Sequence, residues 1–285
     1  MRVCAAAIQM PSALLDVSTN VERADAWLRQ AHDAGVELAV LPEMFNTGSG
    51  FCRDSTTVGE SHDGPTVRLL RERSRLWGMD IAAGFVERDG HHLYDSLLYV
   101  TPEGRIDVYR KRHLVFWERF RFRPGRDPVI VPTRWGRVGL AICADMIYRR
   151  VWLGYRDRID LAIVSAAWPD FTDRRTGRKH WLLGHVGPLS ATIPSRVAED
   201  LGIPVIFANQ CGPTRTVIPV IWQRIEDRFA GLSSICDGRH GPPVQSNVEE
   251  GILVAPITIH SAKGPKTWRS TSHSGRGASS SVSAR

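Results

Sequence analysis

Short apolar runs recur along this chain, separated by amphipathic stretches. That alternation confines it to sheets covered by helices. Val3–Gln9, Leu38–Leu41, Ile81–Val86, Leu93–Val100, Ile106–Tyr109, Val129–Val131, Val138–Ile142, Leu161–Ser165, Pro204–Asn209, Phe229–Ser234 and Gly251–Ile257 read as strands. Arg88-Asp89-Gly90 is a turn signal between two of them. Asn20–Ala34 sets Val21, Ala24, Trp27, Leu28 and Ala31 at helical spacing. Thr66–Trp77 turns Val67, Leu70 and Leu76 inward, and Pro194–Leu201 is a helix ended by Gly202. The order is neither purely βαβα nor segregated, so mixed sheets with helices outside are expected. With 285 residues, 42% of them hydrophobic, one large domain over residues 1–260 is expected. Trp168–Leu189, with its basic run Arg174-Arg175-Thr176-Gly177-Arg178-Lys179, reads as a long surface excursion.

The net charge of +7 suggests nucleic acid until it is located. Lys263, Lys266, Arg269, Arg276 and Arg285 hold five of those charges in a Ser- and Gly-rich tail without acids, leaving +2 on the body. The tail, residues 261–285, is expected to be disordered, and nucleic-acid binding is not expected. No apolar run reaches membrane-spanning length, and the N-terminus lacks signal-peptide order. Five widely spaced cysteines make no disulfide framework, which favours a reduced, cytoplasmic setting. No CxxC pair is present, and His180 and His185 lack a third ligand at metal spacing. Neither a metal nor a cofactor is expected.

Three chemical groups stand out, two of them at the ends of apolar runs. Cys143 follows Val138-Gly139-Leu140-Ala141-Ile142 and precedes Ala144-Asp145, the pattern of a buried strand ending in a sharp turn. Glu43 follows Leu38-Ala39-Val40-Leu41-Pro42, where a carboxylate is costly to bury unpaired. Lys111 lies in Tyr109-Arg110-Lys111-Arg112-His113-Leu114, flanked by residues that pack. An acid, a base and a thiol are the parts of an amide-cleaving cysteine enzyme. Each has an ordinary reading as well: a small buried hydrophobe for Cys143, a helix N-terminal acid for Glu43, a solvated basic stretch for Lys111.

Together these segments resemble the nitrilase, or carbon–nitrogen hydrolase, superfamily. Leu41-Pro42-Glu43-Met44-Phe45-Asn46-Thr47-Gly48 resembles its glutamate motif. Tyr109 to Leu114, continuing to Phe122-Arg123-Pro124-Gly125, resembles its lysine motif, and Gly139 to Asp145 its cysteine motif. Ala208-Asn209-Gln210-Cys211-Gly212 resembles the later Asn-x-x-Gly strand end, or is a structural turn. The resemblance implies an α/β fold with mixed sheets in a four-layer αββα sandwich, and a homodimer or larger homo-oligomer. It implies Glu43 as base, Cys143 as nucleophile, and Lys111 with the Ala144 backbone N–H as oxyanion donors. Glu118 falls where relatives carry a second glutamate that orients the lysine or substrate; a surface ion pair competes. Trp117, Asp145 and Trp168 are pocket candidates.

The expected function is cleavage of a non-peptide C–N bond in a small amide or N-carbamoyl compound through a thioester. The same thioester could pass to an amine, giving an acyltransferase. Nitrile hydrolysis is an alternative that Cys143-Ala144-Asp145 disfavours, because true nitrilases resemble Cys-Trp-Glu there. A binding protein that uses the basic tail is the remaining reading. Arg174, Arg175, Arg178 and Lys179 either bind a substrate carboxylate or form a solvated loop.

Overall fold

A computed structural model describes residues 1–172, 176–179, 184–218, 222–238 and 243–260. Arg174, Arg175, His180 and the tail 261–285 lie outside the described residues. The strands are β1 (Arg2–Gln9), β2 (Leu38–Leu41), β3 (Asp80–Asp89), β4 (His92–Val100), β5 (Ile106–Arg110), β6 (Ile130–Thr133) and β7 (Gly136–Ile142). They continue with β8 (Leu161–Ala166), β9 (Val205–Asn209), β10 (Pro213–Ile218), β11 (Gln223–Arg228), β12 (Ser234–Cys236), β13 (Val244–Gln245) and β14 (Gly251–Thr258). The helices are α1 (Val17–Asp33), α2 (Pro65–Trp77), α3 (Arg149–Leu153) and α4 (Ile193–Leu201).

Two six-stranded sheets result. Sheet one runs β14-β1-β2-β3-β4-β5 and sheet two β13-β12-β9-β8-β7-β6. In each, three central strands are parallel and the outer ones antiparallel. β10 and β11 form a separate hairpin. Side-chain parity explains the layering. Val3, Ala5, Ala7, Leu38, Val40 and Ala82 face sheet two's Leu140, Ile163 and Ile206, which pair in register, in one core. Their neighbours Ala6, Ile8, Ala39, Leu41, Ile81 and Ala83 face Ala24 and Leu28 of α1 and Val67 and Leu70 of α2 in another. The central strands are therefore apolar on both faces, as strands sandwiched between a sheet and a helix layer must be. This is the expected αββα sandwich.

Local chemistry sets the helix ends. Asp16 accepts the Thr19 N–H at 3.3 Å, so α1 starts three residues before the apolar spacing does. Gly78 and Gly202 take left-handed φ of 62° and 65° and stop α2 and α4.

Two expectations fail. Leu76 is 67% exposed, and Ser74 takes the inward place on α2. Nine residues past Val67, Leu76 lies half a turn away, on the opposite face. Phe229–Ser234 is not a strand; apart from an isolated bridge between Phe229 and Pro169, the ladder begins only at Ser234. Gly231 and Leu232 adopt φ of 63° and 58°, which breaks any ladder. That segment instead crosses the strand ends: Phe229, Ala230 and Gly231 donate backbone N–H to Gly212, Trp168 and Gln210 carbonyls. The Trp168–Leu189 excursion also starts inside, with Trp168 3% exposed and Gly187 buried.

Candidate active site

The ladder of β7 ends at Ile142, and Cys143 begins a 3₁₀ turn, Cys143–Ile147, with φ 45°. Left-handed backbone is unfavourable for a side chain with a Cβ, so the turn must be held from outside. Asp145 does this. Its carboxylate accepts the Tyr109 hydroxyl at 2.7 Å, the His113 N–H at 2.9 Å, the Arg112 N–H at 3.3 Å and the Ile142 N–H at 3.4 Å. His113 Nδ1 donates at 2.6 Å. Asp145 is thus a clamp between the cysteine turn and the segment after β5, and its oxygens do not face a pocket as expected.

Glu43 leaves the end of β2 and is 1% exposed. Sheet two holds it on several sides. Its N–H donates to Ala166 O at 3.4 Å, its Oε2 accepts the Ala167 N–H at 2.5 Å, and its carbonyl accepts Gln210 Nε2 at 2.7 Å. The approach demands Gly84 in β3: a Cβ there would lie 2.4 Å from Glu43 Cα and 2.7 Å from Ser165 Oγ.

Lys111 follows β5, and its N–H donates to Asp95 O at 2.8 Å. Its Nζ is wholly buried, 2.6 Å from Glu43 Oε1, 2.6 Å from Glu118 Oε1 and 3.2 Å from Asp95 Oδ2. Burial alone would lower the ammonium pKa, but Glu118, Glu43 and Asp95 outweigh it and hold the pKa well above the ordinary lysine value. The same burial, reinforced by Glu43, raises Asp95 well above the usual carboxylate range and Glu118 to about 7. Lys111 is therefore a fixed cation, while part of the carboxylate set takes up protons near neutrality. Glu43, Asp95 and Glu118 place ligand oxygens within 4.8 Å of one another, a geometry suited to a cation, and the Lys111 ammonium is the cation among them.

Cys143 is 7% exposed. Burial, then the nearby Glu43 and Glu118, push its thiol well above the ordinary value; Lys111 and a hydrogen bond from Ala167 oppose this without reversing it. The resting group is a neutral thiol that needs a base. Ala144 is 4% exposed directly after it in the turn.

Glu118 sits in the 3₁₀ turn Phe116–Phe120, where its Oε2 accepts the Val115 N–H at 3.0 Å. It is 4% exposed and turned to Lys111, so it is not a surface ion pair. Trp117 is half-buried against Phe122 and the Met44, Val86 and Leu114 cluster. Trp168 is fixed by its N–H to Asn209 Oδ1 at 2.7 Å and its indole N–H to Val186 O at 3.1 Å. Asn209 also donates to Gly231 O at 2.7 Å. The Asn209-Gln210 segment is therefore a brace for Trp168 and Glu43.

Asp95 escaped the sequence reading. In Leu93-Tyr94-Asp95-Ser96-Leu97 it shares the parity of Leu93 and Leu97, both buried, and that parity was the available signal.

The sequence pattern of the Carbon-nitrogen hydrolase family matches residues 4–263. The chain is 35% identical over 145 residues to a "Nitrilase" from Pyrococcus abyssi, covering 50% of this chain and 55% of that protein. It is 26% identical over 272 residues to the "N-carbamoylputrescine amidase" of Solanum tuberosum, covering 87% of this chain and 84% of that protein. Its backbone superposes on a mutant of the amidase from Nesterenkonia sp. AN1 with a TM-score of 0.72 at 20% identity, covering 90% of each chain. That structure is described as showing covalent addition of the acetamide moiety of fluoroacetamide at the active site cysteine.

Proposed function

The chain belongs to the carbon–nitrogen hydrolase family, and from that footing we propose that it cleaves the C–N bond of a small amide or N-carbamoyl compound through a thioester on Cys143. The observation that carries this reading is the buried Lys111 ammonium, held 2.6 Å from both Glu43 and Glu118 beside a thiol at the tip of a strained turn. Amidase names among the relatives, and the cysteine adduct described for the Nesterenkonia enzyme, support the reaction class.

In this mechanism Glu43 takes the thiol proton as Cys143 attacks the carbonyl carbon. A base is required because burial keeps the thiol protonated. Lys111 and the Ala144 N–H stabilise the tetrahedral oxyanion. Glu43 then protonates the departing ammonia or amine. Water attacks the thioester with Glu43 again as base, releasing the acid and free thiol. Glu118 and Asp95 fix the Lys111 ammonium, so no reorganisation is needed as charge develops.

Intact-protein mass after incubation with primary amides, N-carbamoyl amines and nitriles tests the proposal, with Cys143→Ala alongside. A substrate-dependent adduct on the wild type alone is expected, together with ammonia release. Turnover persisting in Cys143→Ala would overturn the thiol mechanism. A product mass containing an added amine would reassign the chemistry to acyl transfer.

We also propose a homo-oligomer. Ile147 and Leu153, on the cysteine turn and α3, are 48% and 51% exposed, apolar surface suited to self-association. Light scattering at the monomer mass would reject it. Among the described residues no helix is long and apolar enough to cross a membrane.

A further inference from the structure

A second cavity lies behind the turn that carries Glu118, between that turn, the tip of the β3–β4 hairpin and α3. Its volume is about 720 Å³, ample for a small-molecule ligand. Arg112, Arg119, Arg121, Arg123 and Arg150 line it with three histidines, and no acidic side chain does. Elsewhere several arginines meet carboxylates, as Arg73 does Asp25, Arg105 Asp107, Arg110 Glu87 and Arg137 Asp160, while others such as Arg68 and Arg158 donate to backbone carbonyls. None of the five bowl arginines has a carboxylate partner among the described residues. Arg119 donates to the Leu114 carbonyl, and Arg150 donates to His113 Nε2 at 2.7 Å.

Arg121 is the decisive member. It is 8% exposed, its Nη2 donates to Val58 O at 3.2 Å, and its Nε and Nη1 have no partner. Burial lowers its pKa to about 10, with Asp95 pulling the other way. Asp95 and the Phe122 ring, 4.7 Å from the guanidinium carbon, compensate it only in part, two of its nitrogens stay unbonded, and four further arginines around the same bowl add to the positive potential. An anion seated in the bowl supplies the missing counter-charge. Several guanidinium groups lining one volume suit tetrahedral oxyanions bearing more than one charge.

We infer that this bowl binds a small compound carrying a multiply charged phosphate group. The site is separate from the thiol chemistry and stands whether or not the proposed hydrolysis is right. Its position carries a consequence: the turn forming one wall also holds Glu118, and His113 on another wall donates to the Asp145 clamp.

Isothermal titration of the full-length protein with pyrophosphate tests it. Saturable one-to-one binding is expected, weakened at high salt. Arg119→Gln with Arg123→Gln, both exposed, should weaken it at least tenfold, since a charge-assisted contact of about 1.4 kcal/mol is a tenfold change. Arg121→Met should do the same; if that buried variant does not fold, the exposed pair alone decides. Lys263→Gln with Lys266→Gln and Arg269→Gln should leave the affinity unchanged, which separates the bowl from the basic tail. Citrate should bind more weakly than pyrophosphate. No saturable heat with the wild type, wild-type affinity in the Arg119/Arg123 variant, loss of binding only in the tail variant, or tighter citrate binding would each overturn the assignment.

Discussion

Sheet one and sheet two share a layout, with three parallel strands at the centre and antiparallel strands outside, but they deliver different groups to the site. Sheet one brings charge: Glu43 after β2, Asp95 within β4 and Lys111 after β5. Sheet two brings neutral groups: Cys143 after β7, the Ala167 N–H after β8 and Asn209 at the end of β9. Neither sheet holds a complete site. Cys143 comes beside Glu43 only because the sheets are packed face to face, with Gly84 letting Glu43 reach Ala166 and Ala167. Sheet one is thus expected to support both stability and chemistry through its charges, and sheet two to supply the reacting atom at little structural cost.

The most severe test of that contrast is Cys143→Ala. Turnover should fall to background while the urea midpoint changes little, because a single sulfur is lost from a packed site. A stability loss above about 3 kcal/mol, the cost of truncating a large core residue, would break the contrast. Lys111→Met should fail on both counts. Removing one partner of a buried ion cluster costs about 3–5 kcal/mol, and losing an oxyanion donor lowers kcat by about 10²–10³. Denaturation midpoints with steady-state rates check both.

Glu118→Gln sharpens the comparison through pH. The folded-state pKa of Glu118 is raised to about 7 from an ordinary 4.5, so its protonated form favours folding. That contribution is complete below pH 4.5 and is lost as pH rises through about 7. Glu118→Gln should therefore flatten the fall in stability across that window in urea melts at stepped pH. A Cys143→Ala protein should keep the fall. Tyr109→Phe is the mildest change. It deletes one buried donor to Asp145, which retains its bonds from His113, Arg112 and Ile142, so a loss of about 1–2 kcal/mol is expected. The loss should be accompanied by slower turnover, because the clamp reaches the cysteine turn.

The same contrast governs what the sequence disclosed. Glu43 and Cys143 stand next to unbroken apolar runs, and Lys111, between two arginines, is flanked by Tyr109 and Leu114, so their burial was legible from their neighbours. Asp95 was less so, because a polar pair, Asp95-Ser96, interrupts its run and suggests exposure, and only its parity with Leu93 and Leu97 points inward, to Lys111. Asp145 read as a pocket residue because it is close in sequence to the thiol, whereas its partners Tyr109, Arg112 and His113 are more than thirty residues away. β10 and β11 are polar and alternate weakly, and their pairing comes from each other. The false strand at Phe229–Ser234 shows the opposite error: its residues are buried for bridging strand ends, and burial alone mimics a strand.

The left-handed backbone at Cys143 gives a means of judging descendants of this fold. A side chain at that φ costs about 1–2 kcal/mol against a glycine, and the thiol's packing and its hydrogen bond from Ala167 offset only part of that. On the proposed mechanism, selection for catalysis is the force that keeps cysteine there. Once that selection lapses, drift toward glycine or asparagine is favoured by folding itself, before any decay reaches Glu43 or Lys111, whose buried charges hold one another in place. Position 143 is accordingly the first place at which a retired copy of this enzyme would record its retirement.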